Sequence, residues 1–322
     1  MTFTLLMLPP QTETTRAWAR DLGVSVPEAH VVVAESEAEA ATVIGTAEAA
    51  YGVMPPQLLE RAAKLRWLQA PQAAPPAGYY YPGLVGHPVT VTNMRDIYND
   101  HIGAHILAFV LAFARDFQTY LPQQQRRVWR PKPLDTGIVD LTAATALIVG
   151  LGGIGAETAR LLAAFGTRVI ATDARRTAPT DGVAELHPPE ALDTLLGHAD
   201  FVILTVPHTP ATEGFMHQAR FRQMRPGAFF INIGRGMTTR LDDLVQALEA
   251  GEIAGAGLDV FETEPLPSDH KLWTLPNVLI TPHTAGYGPH LDERRYAILR
   301  DNCRAFADGT TLRNVVDKAN WF

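Results

Sequence analysis

A glycine-rich turn between an apolar strand and a helix constrains the fold of this chain more than any other feature. Residues 146–149 form a short apolar run typical of a strand buried on both faces, and residues 156–165 have the apolar spacing of a helix. Between them Gly150, Gly152 and Gly155 form the pattern Gly-x-Gly-x-x-Gly. In this pattern the first glycine allows the turn, the second lets the backbone approach a pyrophosphate, and the third lets helix and strand pack closely. The stretch predicts a Rossmann dinucleotide-binding unit.

The residues after this unit indicate which dinucleotide binds. A second predicted strand, residues 168–172, ends in Asp173, whose carboxylate can accept hydrogen bonds from an adenosine ribose. This carboxylate disfavours a 2′-phosphate and therefore favours NAD. NADP remains open, because Arg175 and Arg176 follow within reach of such a phosphate.

Composition and charge limit the class of protein. The chain has 322 residues, 47% of them hydrophobic and 19% charged, which is enough for two domains with sizeable cores. A formal net charge of −7 without a basic run argues against a nucleic-acid partner. Cys303 is the one cysteine, so no intrachain disulfide can form, and no apolar run reaches membrane-spanning length. Residues 1–10 lack the basic region of a signal peptide, and we expect a cytoplasmic protein without a membrane partner.

Strand-like and helix-like segments alternate along the chain, which predicts an α/β protein with parallel sheets. A single long helix is predicted over residues 96–117. A proline-rich loop with three tyrosines, residues 71–81, could grip a small ligand. Six strands are predicted after the long helix, at residues 146–149, 168–172, 201–206, 228–233, 254–260 and 277–281.

The two ends of the chain are expected to share one domain. Residues 1–98 and 288–322 are predicted to form a discontinuous, flavodoxin-like substrate domain, which is the catalytic domain. Residues 99–287 are predicted to form the NAD-binding Rossmann domain. Ligands of open α/β sheets bind beyond the carboxyl ends of the strands, so the residues that follow these strands are the candidates for chemistry.

Three residues in such positions supply what carbonyl reduction needs. Arg235 stands between two glycines after a predicted strand, and its planar guanidinium suits a carboxylate. His283 directly follows another strand, and histidine titrates where an acid can protonate a ketone oxygen as hydride reaches the carbon. Glu264 could fix the tautomer of that imidazole and keep it protonated. Glu262 is the rival for this role, because both side chains would face the same side of an extended segment.

Two histidines in the predicted long helix have the spacing of a zinc pair. His101 and His105 stand four residues apart, but no glutamate follows His101 and no third ligand is evident in the sequence. Packing or capping roles in the helix are favoured, and no metal is expected.

With these motifs, the sequence resembles the D-isomer-specific 2-hydroxyacid dehydrogenases. This family includes glyoxylate/hydroxypyruvate reductase and the D-glycerate, D-lactate and phosphoglycerate dehydrogenases. The resemblance implies an NAD(P)-dependent oxidoreductase acting on CH–OH donors, and a homodimer built on the cofactor domain. It covers nearly the whole chain, in motifs whose order and spacing are specific, at residues 65–69, 91–93, 150–155, 232–236, 257–260, 264–267 and 282–283.

The resemblance also implies roles for individual residues. Arg235 binds the substrate carboxylate and carbonyl, His283 is the acid/base, and Glu264 is its partner. Formate dehydrogenase, a relative, differs in having glutamine where Glu264 stands. The family pattern places Gly153 and Ile154 at the pyrophosphate, Asp173 at the ribose, Pro207 near the adenine and Asp259 at the nicotinamide carboxamide. The candidate cofactor-binding set also includes Gly150, Gly152, Gly155, Arg175, Thr212, Ile233 and Gly286.

The substrate loop departs from the family pattern. Where the family has Ala-Gly-Val-Asp, whose backbone N–H groups hold the substrate carboxylate, residues 73–76 read Ala-Ala-Pro-Pro, and Pro75 has no N–H to donate. Either Ala73 and Ala74 hold the carboxylate or Arg95 takes a share of it. These three residues are therefore the further candidates for substrate binding.

The sequence predicts an NAD(P)H-dependent reductase that converts a small 2-keto acid to a D-2-hydroxy acid by reversible hydride transfer. The alternative, from another class, is an NAD-sensing, dimeric binding protein of corepressor type without significant turnover, since the same superfamily contains such proteins. The combination of Arg235, Glu264 and His283 favours the enzyme.

Overall fold

A computed structural model describes residues 1–73, 78–134 and 136–320. The chain divides into two compact units, Met1–Ile97 with Gly288–Phe322 and Tyr98–Tyr287. The first boundary follows Ile97, one residue before the predicted boundary. The second follows Tyr287, where it was predicted. The assignment of substrate binding to one unit and coenzyme binding to the other remains a proposal.

The first unit alternates short strands with helices and closes with a long C-terminal helix. That helix ends at Gly309, which adopts a left-handed conformation (φ 69°) suited to glycine. The elements of this unit are β1 (Phe3–Met7), α1 (Glu13–Ser25), β2 (Ala29–Val33), α2 (Glu37–Val43), β3 (Ala49–Tyr51), α3 (Pro56–Leu59), β4 (Trp67–Gln69), α4 (Pro82–Gly86), β5 (Thr90–Thr92) and α11 (Leu291–Asp308).

The five strands of this unit form one parallel sheet in the order β2-β1-β3-β4-β5. Counted along the chain this is the 2-1-3-4-5 order of flavodoxin-like proteins. The central strand β1 is apolar, and its residues Leu5, Leu6 and Met7 are fully buried. The flavodoxin-like prediction for this part of the chain is confirmed.

The second unit has the longer series of strands and helices. Two of its helices precede the first strand, and the rest alternate with strands. The elements are α5 (Asn99–Ala114), α6 (Phe117–Gln125), β6 (Thr145–Val149), α7 (Gly153–Ala164), β7 (Arg168–Thr172), β8 (Glu185–His187), α8 (Leu192–Leu195), β9 (Phe201–Leu204), α9 (Gln218–Gln223), β10 (Phe229–Asn232), α10 (Leu241–Glu249), β11 (Gly255–Leu258) and β12 (Val278–Ile280).

The sheet of the second unit is parallel throughout and runs β12-β11-β10-β9-β6-β7-β8. The order reverses between β6 and β9, which is the switch point of a doubly wound Rossmann sheet. Apolar clusters cover both faces: one packs α9 and α10 on the sheet through Phe221 and Leu244, and the other packs α5 and α7 through Phe109 and Leu162. The predicted Rossmann fold is confirmed.

Two predictions of elements were wrong. The sheet has seven strands where six were predicted, because β8, which was not among the predicted strands, pairs with β7. The helix predicted over residues 96–117 is α5, which covers only Asn99–Ala114, and the following helix α6 was not predicted. Asp116, which has a left-handed backbone (φ 58°), separates the two helices. Within residues 1–73, 78–134 and 136–320, no helix is long and apolar enough to cross a membrane.

Candidate active site

Three neighbouring strands bring the candidate catalytic residues to one edge of the second unit's sheet. Leu258 of β11 pairs with Asn232 of β10 on one side and with Ile280 of β12 on the other. The three strands therefore end level with each other, and the segments that follow them leave the sheet together. Arg235 follows β10, Glu264 follows β11 and His283 follows β12, as the sequence predicted.

The imidazole of His283 is held by the carboxylate of Glu264. His283 Nδ1 lies 2.7 Å from Glu264 Oε2, while Glu264 Oε1 accepts a hydrogen bond from the backbone N–H of Phe261 at 3.0 Å. An ionised carboxylate only accepts, so this contact places a proton on Nδ1 and leaves Nε2 for another group. The His283 side chain is 49% exposed, so a small molecule can reach it.

The alternative partner, Glu262, is used elsewhere. Its Oε2 accepts a hydrogen bond from the backbone N–H of Leu241 at 2.7 Å, at the start of α10. A carboxylate there satisfies a free donor of the first helical turn and complements the helix dipole. Of the two glutamates that the sequence left open, the structure brings Glu264 to His283.

The Arg235 guanidinium lies at the turn after β10 and within the electrostatic reach of Glu264. Arg235 Nη1 donates to the carbonyl of Gly234 at 2.5 Å. Burial lowers the pKa of Arg235, and the negative charge of Glu264 opposes that shift. A Cβ on the neighbouring Gly236 would lie 1.8 Å from the carbonyl oxygen of Phe261. Glycine is therefore required for this turn to approach the segment that carries Glu264.

Asn232 shapes the Arg235 turn, a role that was not predicted from the sequence. Asn232 is 1% exposed. Its amide oxygen accepts from the N–H of Gly234 at 3.0 Å, and its amide nitrogen donates to the carbonyl of Arg235 at 3.2 Å and to Thr239 Oγ1 at 3.0 Å. A polar side chain at the end of an otherwise apolar strand was the available signal, because such a group must find partners when buried.

The loop that carries His283 is held by a buried carboxylate. Asp259 is 1% exposed, and it accepts hydrogen bonds from the backbone N–H groups of Thr284 and Ala285 at 2.8 and 2.9 Å. His283 itself has a left-handed backbone (φ 55°), which is uncommon outside glycine and persists where the surroundings enforce it. The sequence did not indicate that Asp259 would hold the backbone of this loop.

The glycine turn fits a bound pyrophosphate. Gly150 has φ 98°, and a Cβ on Gly155 would lie 2.1 Å from the carbonyl oxygen of Gly150, so both positions require glycine. A Cβ on Gly152, by contrast, would have no atom within 4 Å. The first hydrogen bond of α7 runs from the N–H of Ala156 to Gly152 O at 2.9 Å, so the N–H groups before it, including Gly153 and Ile154, precede the helical ladder.

Asp173 lies beside this turn and organises it. Its carboxylate accepts from the backbone N–H groups of Leu151 at 2.7 Å and of Arg175 and Arg176 at 2.8 Å each. Burial raises the pKa of Asp173, but the three N–H bonds outweigh it and hold the pKa below its ordinary value. Arg176 Nε also donates to Leu151 O at 2.9 Å, so the Arg176 guanidinium lies at the glycine turn.

The other residues predicted to bind the coenzyme lie at nearby strand ends. Thr212 Oγ1 donates to the carbonyl of Pro207 at 2.7 Å, which ties together the loop after β9. Ile233 directly follows β10 and is buried, with 4% of its surface exposed. Gly286 follows the two residues that Asp259 holds, and a Cβ there would lie 3.6 Å from the ring of Tyr98.

The remaining substrate-binding candidates belong to the first unit. The carbonyl of Ala73 accepts from Asn93 Nδ2 at 2.8 Å, and Arg95 Nη2 donates to Val315 O at 3.0 Å. Asn93 is 2% exposed, so the start of the substrate loop is fixed by a buried amide. Ala74, with Pro75, lies outside the described residues.

The histidine pair in α5 forms no metal centre in the part of the chain that the structure describes. No group of three histidine, cysteine, aspartate or glutamate side chains there is arranged to hold a metal ion. His105 Nε2 instead lies 2.9 Å from Thr281 Oγ1.

A protein-family model and a sequence relative each match more than half of this chain. The family model described as D-isomer specific 2-hydroxyacid dehydrogenase, NAD binding domain, matches residues 107–285. Glyoxylate/hydroxypyruvate reductase A of Serratia proteamaculans is 37% identical over 238 residues, which are 74% of this chain and 74% of the relative.

Solved structures resemble the whole chain. The D-isomer specific 2-hydroxyacid dehydrogenase of Xanthobacter autotrophicus, in complex with NADPH and MES, aligns with a TM-score of 0.86 and 28% identity over 100% of both chains. The NADPH-dependent glyoxylate/hydroxypyruvate reductase of Sinorhizobium meliloti, in complex with NADP and sulfate, aligns with a TM-score of 0.81 and 27% identity, again over 100% of both chains.

Proposed function

This chain belongs to the family of D-isomer-specific 2-hydroxyacid dehydrogenases, as its motifs predicted, and we propose that it reduces a small 2-keto acid to the D-2-hydroxy acid. The observation that carries the proposal is the 2.7 Å contact between His283 and Glu264, which lies at the same sheet edge as Arg235. An acid with a fixed tautomer beside a planar cation is what reduction of a carbonyl next to a carboxylate requires.

In the proposed reaction each of the three residues has a distinct task. Arg235 binds the substrate carboxylate and carbonyl with its planar fork of N–H donors and so orients the keto carbon. His283 donates the proton of Nε2 to the carbonyl oxygen as that carbon is reduced. Glu264, bonded to Nδ1, stabilises the protonated imidazole before the transfer and holds the ring in place after it.

The proposed coenzyme is a reduced nicotinamide dinucleotide, which supplies the hydride when bound. The N–H groups at the start of α7 and the open space at Gly152 would accommodate its pyrophosphate. Asp173 would accept from the ribose of NADH with the acceptor capacity left beyond its three N–H bonds. Arg175 and Arg176 would instead suit the 2′-phosphate of NADPH, the coenzyme present in the Xanthobacter autotrophicus structure.

The substrate proposal rests on the relatives and on this chain's own loop. Relatives are named as glyoxylate/hydroxypyruvate reductases, and we propose glyoxylate and hydroxypyruvate as the first substrates to test. Ala73, Ala74 and Arg95 are proposed to contribute to carboxylate binding, because Pro75 lacks an N–H donor.

The glycine turn gives a prediction about coenzyme binding. We expect Gly152→Ala to raise the coenzyme Kd by roughly tenfold or more, about 1.4 kcal/mol, because the new methyl group would enter the open space assigned to the pyrophosphate. The melting temperature should change little, since that methyl group meets no protein atom. Fluorescence titration with NADH and NADPH measures the effect.

Gly155→Ala is the matched control for this prediction. Its methyl group would clash with the Gly150 carbonyl, so a loss of thermal stability is expected in addition to any loss of binding. Unchanged coenzyme affinity in Gly152→Ala would argue against the assigned pyrophosphate position.

The proposed function is tested by following NADH and NADPH oxidation with glyoxylate, hydroxypyruvate, pyruvate and longer 2-keto acids. Oxidation that depends on a short keto acid, with a D product on chiral chromatography, is expected. If the protein binds the coenzyme but oxidises it with none of these acids, the NAD-sensing binding protein becomes the better account.

A homodimer built on the unit Tyr98–Tyr287 is also proposed, on the family pattern. Light scattering after gel filtration should then give twice the chain mass of 35.1 kDa.

A further inference from the structure

We propose that His105 and Thr281 are positioning residues for the acid His283, acting through the carboxylate of Asp259. The proposal rests on the function proposed above, because it concerns the same reaction. All four residues belong to the second unit, and the connection consists of hydrogen bonds with defined donors.

The direction of these hydrogen bonds follows from the acceptor at one end. Thr281 Oγ1 lies 2.6 Å from Asp259 Oδ1, and an ionised carboxylate can only accept, so the hydroxyl proton of Thr281 points to Asp259. The same hydroxyl oxygen lies 2.9 Å from His105 Nε2. With its one proton already engaged, Thr281 must accept there, so His105 Nε2 carries a proton and donates it.

The imidazole of His105 is itself held firmly. Its ring packs edge-on against Phe109, one turn further along α5, with centroids 4.9 Å apart and planes at 85°. Phe109 in turn packs on β11, where a Cβ on Gly257 would lie 2.9 Å from its ring. Burial lowers the pKa of His105, and the charge of Asp259 opposes this. Neutral or protonated, the ring can keep its Nε2 proton for Thr281.

The other end of the network is the backbone that carries the acid. Asp259 accepts from the N–H groups of Thr284 and Ala285, the two residues directly after His283. The N–H of His283 also bonds to the carbonyl of Thr281 at 3.1 Å. A rotation of the Asp259 carboxylate would therefore shift the backbone at Thr284 and Ala285. This shift would change the position of His283 Nε2. A shift of about 1 Å at a reacting group can cost on the order of 100-fold in rate.

The test compares two substitutions at one position. Thr281→Val keeps the shape of the side chain and removes the hydroxyl, whereas Thr281→Ser keeps the hydroxyl. We expect Thr281→Val to lower kcat by roughly tenfold or more. Thr281→Ser should stay near the wild-type kcat. At the other donor, His105→Gln should rescue activity that His105→Leu loses.

Hydrogen exchange supplies a readout that is independent of turnover. By mass spectrometry, peptides that span residues 281–287 should exchange faster in Thr281→Val than in Thr281→Ser. Equal kcat and equal exchange in the two variants would overturn the proposal. A wild-type protein that reduces no keto acid would overturn the proposed function instead; faster exchange in Thr281→Val would then still support positioning of the loop, and equal exchange would reject it.

Discussion

Replacing His283 with alanine is expected to lower kcat by about 10²–10⁴-fold, the usual contribution of a general acid or base. The variant loses the imidazole, which is the group assigned to protonate the carbonyl oxygen. In the structure this ring is held by its 2.7 Å contact with Glu264. Coenzyme affinity should change little, because His283 is separate from the glycine turn after β6. Steady-state kinetics and a coenzyme titration measure the two quantities.

Two further variants make this result specific to proton transfer. His283→Asn removes the acid but suits the left-handed backbone at this position better than alanine does, so it should lose activity without a large loss of stability. Glu264→Gln keeps the size of the partner and removes its charge, and we expect a smaller loss than for His283→Asn. Near-normal turnover in both His283 variants would reject the assignment of the acid.

Replacing Arg235 with lysine is the second change with a large expected effect. Lysine keeps the positive charge but loses the planar pair of donors that binds a carboxylate oxygen and the neighbouring carbonyl together. Loss of one hydrogen bond to a charged group corresponds to a drop of roughly 10- to 100-fold in kcat/KM, with a raised KM for the keto acid. The kinetics are measured with the best keto acid of the test panel.

A matched arginine elsewhere in the same unit controls for the substitution itself. Arg225 is half exposed and pairs with Asp200 at 2.6 Å, at the amino end of β9, away from the strand ends where Arg235 lies. Arg225→Lys should leave KM and kcat unchanged. If Arg235→Lys also keeps the wild-type KM, Arg235 does not bind the substrate carboxylate.

The sequence was a good guide where burial is complete. The core strands of the second unit, β9 throughout and β6 from Ala146 onward, are apolar and lie between two layers of helices, so their pattern is unmistakable. The strand β8 has the sequence Glu-Leu-His at the edge of the sheet and is only partly buried. Three half-exposed residues leave no apolar pattern to detect.

The helix α5 was predicted to run to residue 117 but ends at Ala114, and α6 was not predicted. Asp116 is 1% exposed, and its carboxylate accepts from Gln118 Nε2 at 2.9 Å and Thr119 Oγ1 at 2.8 Å while its backbone is left-handed. The left-handed backbone of Asp116 interrupts the helical conformation between α5 and α6. Asp116 also forms an ion pair at 2.6 Å with Lys132, an exposed residue well outside the helix, and this pair has no local signature in the sequence.

Within the candidate site, residue types were predictable and their partners were less so. Strand ends and chemistry selected Arg235 and His283, but the choice between Glu264 and Glu262 depended on the backbone path after β11. Glu262 bonds to the start of α10, and only the folded chain shows this. For the same reason the network from His105 to Asp259 could not be predicted, because it joins residues of one helix and two strand ends that are far apart in the chain.

In the proposed reaction this chain transfers hydride from a nicotinamide coenzyme to the keto carbon of a small 2-keto acid while His283 protonates the oxygen. Mass spectrometry of the product formed from hydroxypyruvate with reduced coenzyme deuterated at the transferred position tests it most directly. We expect one deuterium at C2 of a D product with the wild-type protein, formed at a rate at least about 100-fold lower with His283→Asn. A product without deuterium, or equal rates for the two proteins, would contradict the account.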